Sequence, residues 1–252
     1  MNTKVQLGAL WCGPLGLVLY GIAFWGIAGF MPPSSPLTSP EALLAFYEEN
    51  RTGIRVGQLL GLIFSTLFFP FFAVIAAQVA RIEGGRFPVL ALSIFGGMTL
   101  LMVYFYMCGM LWIGAAYRPD IAPVILRLIH ETSWLMFVMV YPEYTMTMFC
   151  IAIAGFIDKS ENPMFPRWYA WFALWVGLSA IGGGFAEFFY SGPFAWNGFF
   201  GFWLPVALFT LWIGVTTPLM ARHIRWQAEQ EAGVAATAKM PIGTAQLTPT
   251  RG

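Results

Sequence analysis

Six long apolar stretches alternate with short polar ones along this chain. They run from about Leu7 to Phe30, Val56 to Ala80, Val89 to Tyr117, Thr132 to Phe156, Trp168 to Tyr190 and Phe199 to Met220. Each can cross a hydrocarbon core of about 30 Å as a helix rising about 1.5 Å per residue. The apolar runs are continuous, whereas a membrane β-barrel needs short alternating segments. The pattern therefore predicts an all-α polytopic membrane helix bundle with about six transmembrane helices.

The polar stretches predict how the spans are joined. Met31 to Arg55 is the longest connection, and Pro32, Pro33 and Pro36 keep its start extended. Ser39 then reads as a helix cap, with Pro40 in the first helical position and Glu41 in the first turn. A short amphipathic helix is expected over Pro40–Asn50, after the first span. Arg81, Glu83, Gly84, Gly85 and Arg86 make a tight polar turn, and Arg118, Pro119, Asp120 and Pro123 end the third span. Val124–Glu131 leads into the fourth, Asp158–Arg167 is a loop, and the uncharged Ser191–Gly198 joins the last two spans. Residues 1–228 form the membrane domain. The Ala-, Thr- and Gln-rich remainder, 229–252, is expected to be a disordered tail.

Composition supports this class. Only 10% of the 252 residues are charged, against about a quarter in soluble domains. A net charge of +1 with no basic stripe excludes a nucleic-acid surface. The first apolar run exceeds a signal-peptide core and lacks a small-residue cleavage site, so it reads as a span. Six spans put both termini on one side. Lys4, Arg81, Arg86, Lys159, Arg167, Arg222 and Arg225 gather there, against Arg51, Arg55, Arg118 and Arg127 opposite. The excess predicts cytoplasmic termini in a bacterial inner membrane or its equivalent.

Candidate chemistry is sparse. Glu143 lies near the middle of the fourth apolar run, after Pro142 and between Tyr141 and Tyr144, and an intramembrane carboxylate raises a functional hypothesis. It is about three turns below Glu131, on the order of 18 Å. Arg51, Arg55, Arg118, Asp120, His130, Glu131 and Glu187 lie towards the same end, so a site is expected as a cavity in the outer half of the bundle. Glu143, Tyr141, Tyr144, Tyr106, Met107, Met139, Glu187, Arg51 and Arg55 are its candidate ligand-binding residues. Glu143, His130 and Glu131 are the candidates for acid/base work. Each also has a plain reading: Glu143 satisfying backbone freed by Pro142, His130 and Glu131 as an interfacial pair bonded to Arg127 or Arg118, Glu187 snorkelling beyond a packing face of small residues.

Other chemistries lack their residues. The two histidines, His130 and His223, fall on opposite sides, which leaves no zinc, iron or bis-histidine haem set. The methionines with Cys108 and Cys150 show no tight copper pattern, and methionine commonly fills apolar cores. Cys12, Cys108 and Cys150 are all inside apolar runs and do not suggest a disulfide framework. No phosphate-binding loop or nucleophile elbow occurs. No metal and no cofactor is expected.

The leading expectation is a membrane protein that binds or moves a lipophilic small molecule, since an aromatic- and Met-lined interior with a few placed polar groups is how apolar pockets are built. Two alternatives remain: an integral membrane enzyme acting on a lipid, isoprenoid or sterol with Glu143 as acid/base, and a structural subunit of a larger membrane complex. Expected partners are membrane lipids, a lipophilic ligand, and a further copy or a larger assembly.

Overall fold

A computed structural model describes residues 2–85 and 87–238. Among the described residues the chain is helical and contains no strand. Its helices are α1 (Thr3–Gly21), α2 (Pro40–Ser65), α3 (Phe68–Glu83), α4 (Val89–Tyr117), α5 (Pro123–Val138), α6 (Tyr141–Ile157), α7 (Arg167–Ala180) and α8 (Leu204–Ala238). They make six segments long and apolar enough to cross a membrane. Two of these are broken pairs: α2 with α3, and α5 with α6. The protein is an integral membrane helix bundle.

The spans pack in chain order as a ring. α1 packs on α2 and α3, these on α4, α4 on α5 and α6, α6 on α7, and α7 on α8; α8 against α1 closes the ring. The end where α1 begins is tied to α3 and α8 by a run of polar side chains. Gln78 Nε2 donates to Gln6 Oε1 at 2.7 Å, and Gln227 Oε1 accepts from Arg81 at 2.8 Å.

The breaks follow from proline chemistry. A proline cannot donate to the carbonyl four residues back, and its ring presses on that carbonyl. Pro70, Pro142 and Pro205 act in this way on Thr66, Val138 and Gly201. The chain is interrupted at Thr66–Leu67, between α2 and α3, and at Met139–Val140, between α5 and α6; Phe199–Trp203 is a wide π turn before α8. The Thr66 carbonyl turns to Phe69 N at 3.2 Å. Pro14 and Pro218 stay inside unbroken helices.

Some boundaries differ from those read from the sequence. Ser39 does cap a helix, its Oγ accepting from Ala42 N at 3.2 Å. That helix continues through Asn50 without a stop and becomes the first half of the second span. The buried residues Leu43, Tyr47, Ile54, Gly57 and Gln58 recur at helical spacing, so nothing in the packing ends it before Pro70. The fourth span begins at Pro123, and the break at Met139–Val140 divides it. α8 extends through 229–238, and the rest of the expected tail, 239–252, lies outside the described residues.

Candidate functional site: an aromatic cavity where four irregular segments meet

Four departures from α-helix lie close together. Ile22–Ile27 is a π turn after α1, Met139–Val140 is the break before α6, Ile181–Phe188 is a 3-10 helix after α7, and Phe199–Trp203 is the π turn before α8. Irregular backbone at membrane depth persists where it is buried in protein or lines a cavity, and π turns often mark functional sites. Here a cavity of about 450 Å³ is lined by residues at or beside each irregularity: Gly21 and Phe24, Val138 and Val140, Ala180, Gly201 and Phe202. Val138 and Gly201 are the residues whose carbonyls Pro142 and Pro205 release.

Close packing of these segments depends on glycine. A Cβ at Gly183 would collide with the Val138 carbonyl, and one at Gly182 with the Phe200 carbonyl. The small residues near 180 therefore accept the interrupted backbone of the same chain. The sequence alone had left that face open to another helix or to a flat apolar ligand.

The cavity sits between two core clusters. One includes Phe68, Leu101, Tyr144 and Ala180, and the other Phe24, Val138 and Phe202; all seven also line the cavity. One wall is a chain of stacked rings. Tyr20 stacks on Phe24 at 5.8 Å and on Phe105 at 5.9 Å; Phe137 stacks on Phe105 at 5.0 Å, on Phe24 at 5.5 Å and on Phe202 at 6.2 Å. The facing wall has Phe209 between Phe68, at 6.1 Å, and Tyr144, at 5.6 Å. Met31 joins the lining from the first loop. Trp25 and Trp203 line it too, yet are 62% and 40% exposed, so the cavity opens sideways between the first and last spans.

Behind this wall lies a buried hydroxyl. Tyr144 is 5% exposed, and its Oη has no hydrogen-bond partner among the described residues. Leaving a buried hydroxyl unsatisfied costs about 1–3 kcal/mol. The neighbouring Thr147 Oγ1 and Trp212 Nε1 are also without partners among the described residues, and Trp212 packs edge-on to Tyr144 at 6.5 Å.

The structure brings together some of the residues singled out from sequence and separates others. Tyr141 and Tyr144 line the cavity. Glu143, between them, is half-buried and not part of the lining. Because the helix breaks before it, Glu143 falls in the first turn of α6, where free N–H groups and the helix dipole favour a carboxylate. Tyr106 stacks on Phe69 at 6.5 Å, Met107 is exposed on the outside of the bundle, and Met139 packs in the second core cluster. Glu187 is exposed on the 3-10 helix. Arg51 donates to the Ala116 carbonyl at 3.4 Å, and Arg55 lies over the Tyr117 ring at 5.9 Å. Both serve the C-terminal end of α4, where cations suit the helix dipole.

His130 and Glu131 go separate ways. Glu131 pairs with Arg127 at 2.7 Å along one helix face. His130 is buried; its Nε2 lies 3.0 Å from Trp134 Nε1 and 2.7 Å from Ser34 Oγ, and its Nδ1 2.9 Å from Tyr47 Oη. An indole N–H can only donate. Nε2 must therefore be the acceptor, and Nδ1–H donates to Tyr47. This neutral tautomer fastens the first loop to α2 and α5. The Ser34 carbonyl also accepts from Trp196 Nε1 at 2.8 Å, which ties in the loop between the last two spans. Among the described residues, no three His, Cys, Asp or Glu side chains come together as a metal site.

No known protein family, no characterised protein and no solved structure matches this chain. Sequence reasoning missed Tyr20, Phe24, Phe105, Phe137, Phe202 and Phe209 as lining residues, because aromatics are spread through every span. The usable signal was Pro142 and Pro205, each four residues beyond a backbone segment that lines the cavity.

Proposed function

We propose that this protein binds or moves a lipophilic small molecule in the cavity between α1, α4, α6 and α8. The observation that carries this reading is a space of about 450 Å³ walled by stacked aromatic rings, with Tyr144, whose buried hydroxyl has no partner among the described residues, among its lining residues. Ligand pockets commonly occupy ~300–1,000 Å³ and combine an apolar lining with few polar groups. Flat rings along one wall favour a ligand with a planar unsaturated portion, which packs by offset stacking. Tyr144, with Tyr141 beside it, would engage one oxygen of that ligand. The sideways opening at Trp25 and Trp203 supports entry from the bilayer. With cytoplasmic termini, the cavity would lie in the outer half of the membrane.

The test is mass spectrometry of small molecules extracted from gently purified wild type, Tyr144→Phe and Ala180→Phe. Ala180 lines the cavity, so a phenyl group there fills it. A discrete lipophilic species in wild type that Ala180→Phe loses is the expected result. The same bulk lipid profile in all three proteins overturns the proposal.

A further inference from the structure

The cavity occupies one end of the seam between α1 and α8, and a second feature occupies the other. Towards the start of α1, Trp11, Pro218, Ala221, Arg222, Arg225, Trp226 and Glu229 line a groove of about 410 Å³. Arg222 and Arg225 are exposed one turn apart, and neither forms an ion pair among the described residues. Glu229 is the one acidic group in the groove, so two cations face one anion. Trp11 and Trp226 flank them, and tryptophan favours the membrane interface.

Two apolar tracks lead from this groove into the membrane. On α1, Trp11, Leu15 and Val18 are exposed at steps of four and three residues, and Ile22 and Trp25 continue the stripe. On α8, Arg225, Arg222, Pro218, Gly214 and Leu211 follow at the same steps and are all exposed. These residues share one face of each helix. Gly214 leaves open space, with nothing within 4 Å of where its Cβ would stand. From Arg222 to Leu211 the track is on the order of 16 Å at helical rise.

We propose that the α1–α8 seam is a binding site for one anionic phospholipid. Its phosphate pairs with Arg222 and Arg225, its glycerol region lies between Trp11 and Trp226, and an acyl chain runs along Leu15, Val18, Gly214 and Leu211. The juxtaposition of a basic, tryptophan-flanked groove with an apolar track matches an amphiphile with an anionic head. A soluble acidic partner would use the groove and leave the track uncovered. Basic pockets between membrane helices are known to take anionic headgroups. The site is separate from the aromatic cavity and does not depend on that cavity's ligand.

The test reconstitutes delipidated full-length protein in mixed phosphatidylglycerol and phosphatidylcholine and counts lipids retained per chain by native mass spectrometry. Wild type is compared with Arg222→Gln/Arg225→Gln, with Gly214→Phe, and with Lys159→Gln/Arg167→Gln, which removes the same charge elsewhere. Wild type should retain phosphatidylglycerol preferentially. The Arg222/Arg225 variant should bind it about 30-fold more weakly, from the loss of two interfacial cations. Gly214→Phe should weaken it by obstructing the track, and the Lys159/Arg167 variant should match wild type. Equal retention of the two lipids, an equal loss in the Lys159/Arg167 variant, or no loss in the Arg222/Arg225 variant overturns the proposal. Complete displacement by millimolar inorganic phosphate, or unchanged retention in Gly214→Phe, would make the groove a site for free anions and also overturn it.

Discussion

Tyr144→Phe separates a ligand-binding hydroxyl from a structural one by the sign of its effect. The ring packs against Phe209 and Trp212, and phenylalanine preserves that packing. Only the hydroxyl is lost, and among the described residues it bonds to nothing. Burying such a group costs about 1–3 kcal/mol, with the lower figure more apt inside a membrane protein, where polar contacts average about 0.6 kcal/mol. Ligand-free Tyr144→Phe should therefore be more stable than wild type by about 1 kcal/mol, or about 2–4 °C in Tm for a chain of this size. Protein purified with its ligand should respond in the opposite sense. A hydrogen bond worth about 1.4 kcal/mol is a tenfold change in affinity, so the variant should retain about one tenth as much of the co-purifying species under limiting conditions. Thermal unfolding by tryptophan fluorescence, before and after exhaustive delipidation, reads the first effect. Quantitative mass spectrometry of extracts reads the second. If delipidated Tyr144→Phe were less stable by 1 kcal/mol or more, the hydroxyl would have a partner within the fold, and its assignment to a ligand would fail.

Two further predictions concern the scaffold. His130→Ala leaves Tyr47 Oη and the Trp134 indole N–H unpaired and opens a hole beside Phe30; it should lower stability by about 2–4 kcal/mol, and a loss below about 1 kcal/mol in thermal unfolding would show that the loop clamp matters little. Gly183→Val drives a side chain into the Val138 carbonyl and should sharply reduce the monodisperse fraction on size exclusion, while Gly8→Ala, with nothing within 4 Å of its Cβ, should elute as wild type does.

What the sequence determined is the class of fold. Transfer of apolar residues from water to hydrocarbon depends on composition along the chain, so six spans and their loops are legible without knowing how they pack. Capping is equally local, and Ser39 could be recognised from Pro40 and Glu41 alone. Proline chemistry is local too, and Pro70, Pro142 and Pro205 each perturb the carbonyl four residues back. What no local rule decides is whether the helix bends or breaks there, and which neighbours receive the freed backbone. Gly183 against Val138 is a contact between spans, so only the tertiary structure turns Pro142 into one wall of a cavity. The same dependence explains the site residues. Glu143 stood out because a carboxylate in an apolar run is rare, yet the break places it in a helix first turn beside the cavity. Tyr20, Phe105, Phe137 and Phe202 were invisible because in a membrane sequence nearly every position is apolar, and hydrophobicity no longer distinguishes a lipid-facing ring from one lining a pocket. That distinction is made by the closure of α8 against α1, which only the folded chain contains.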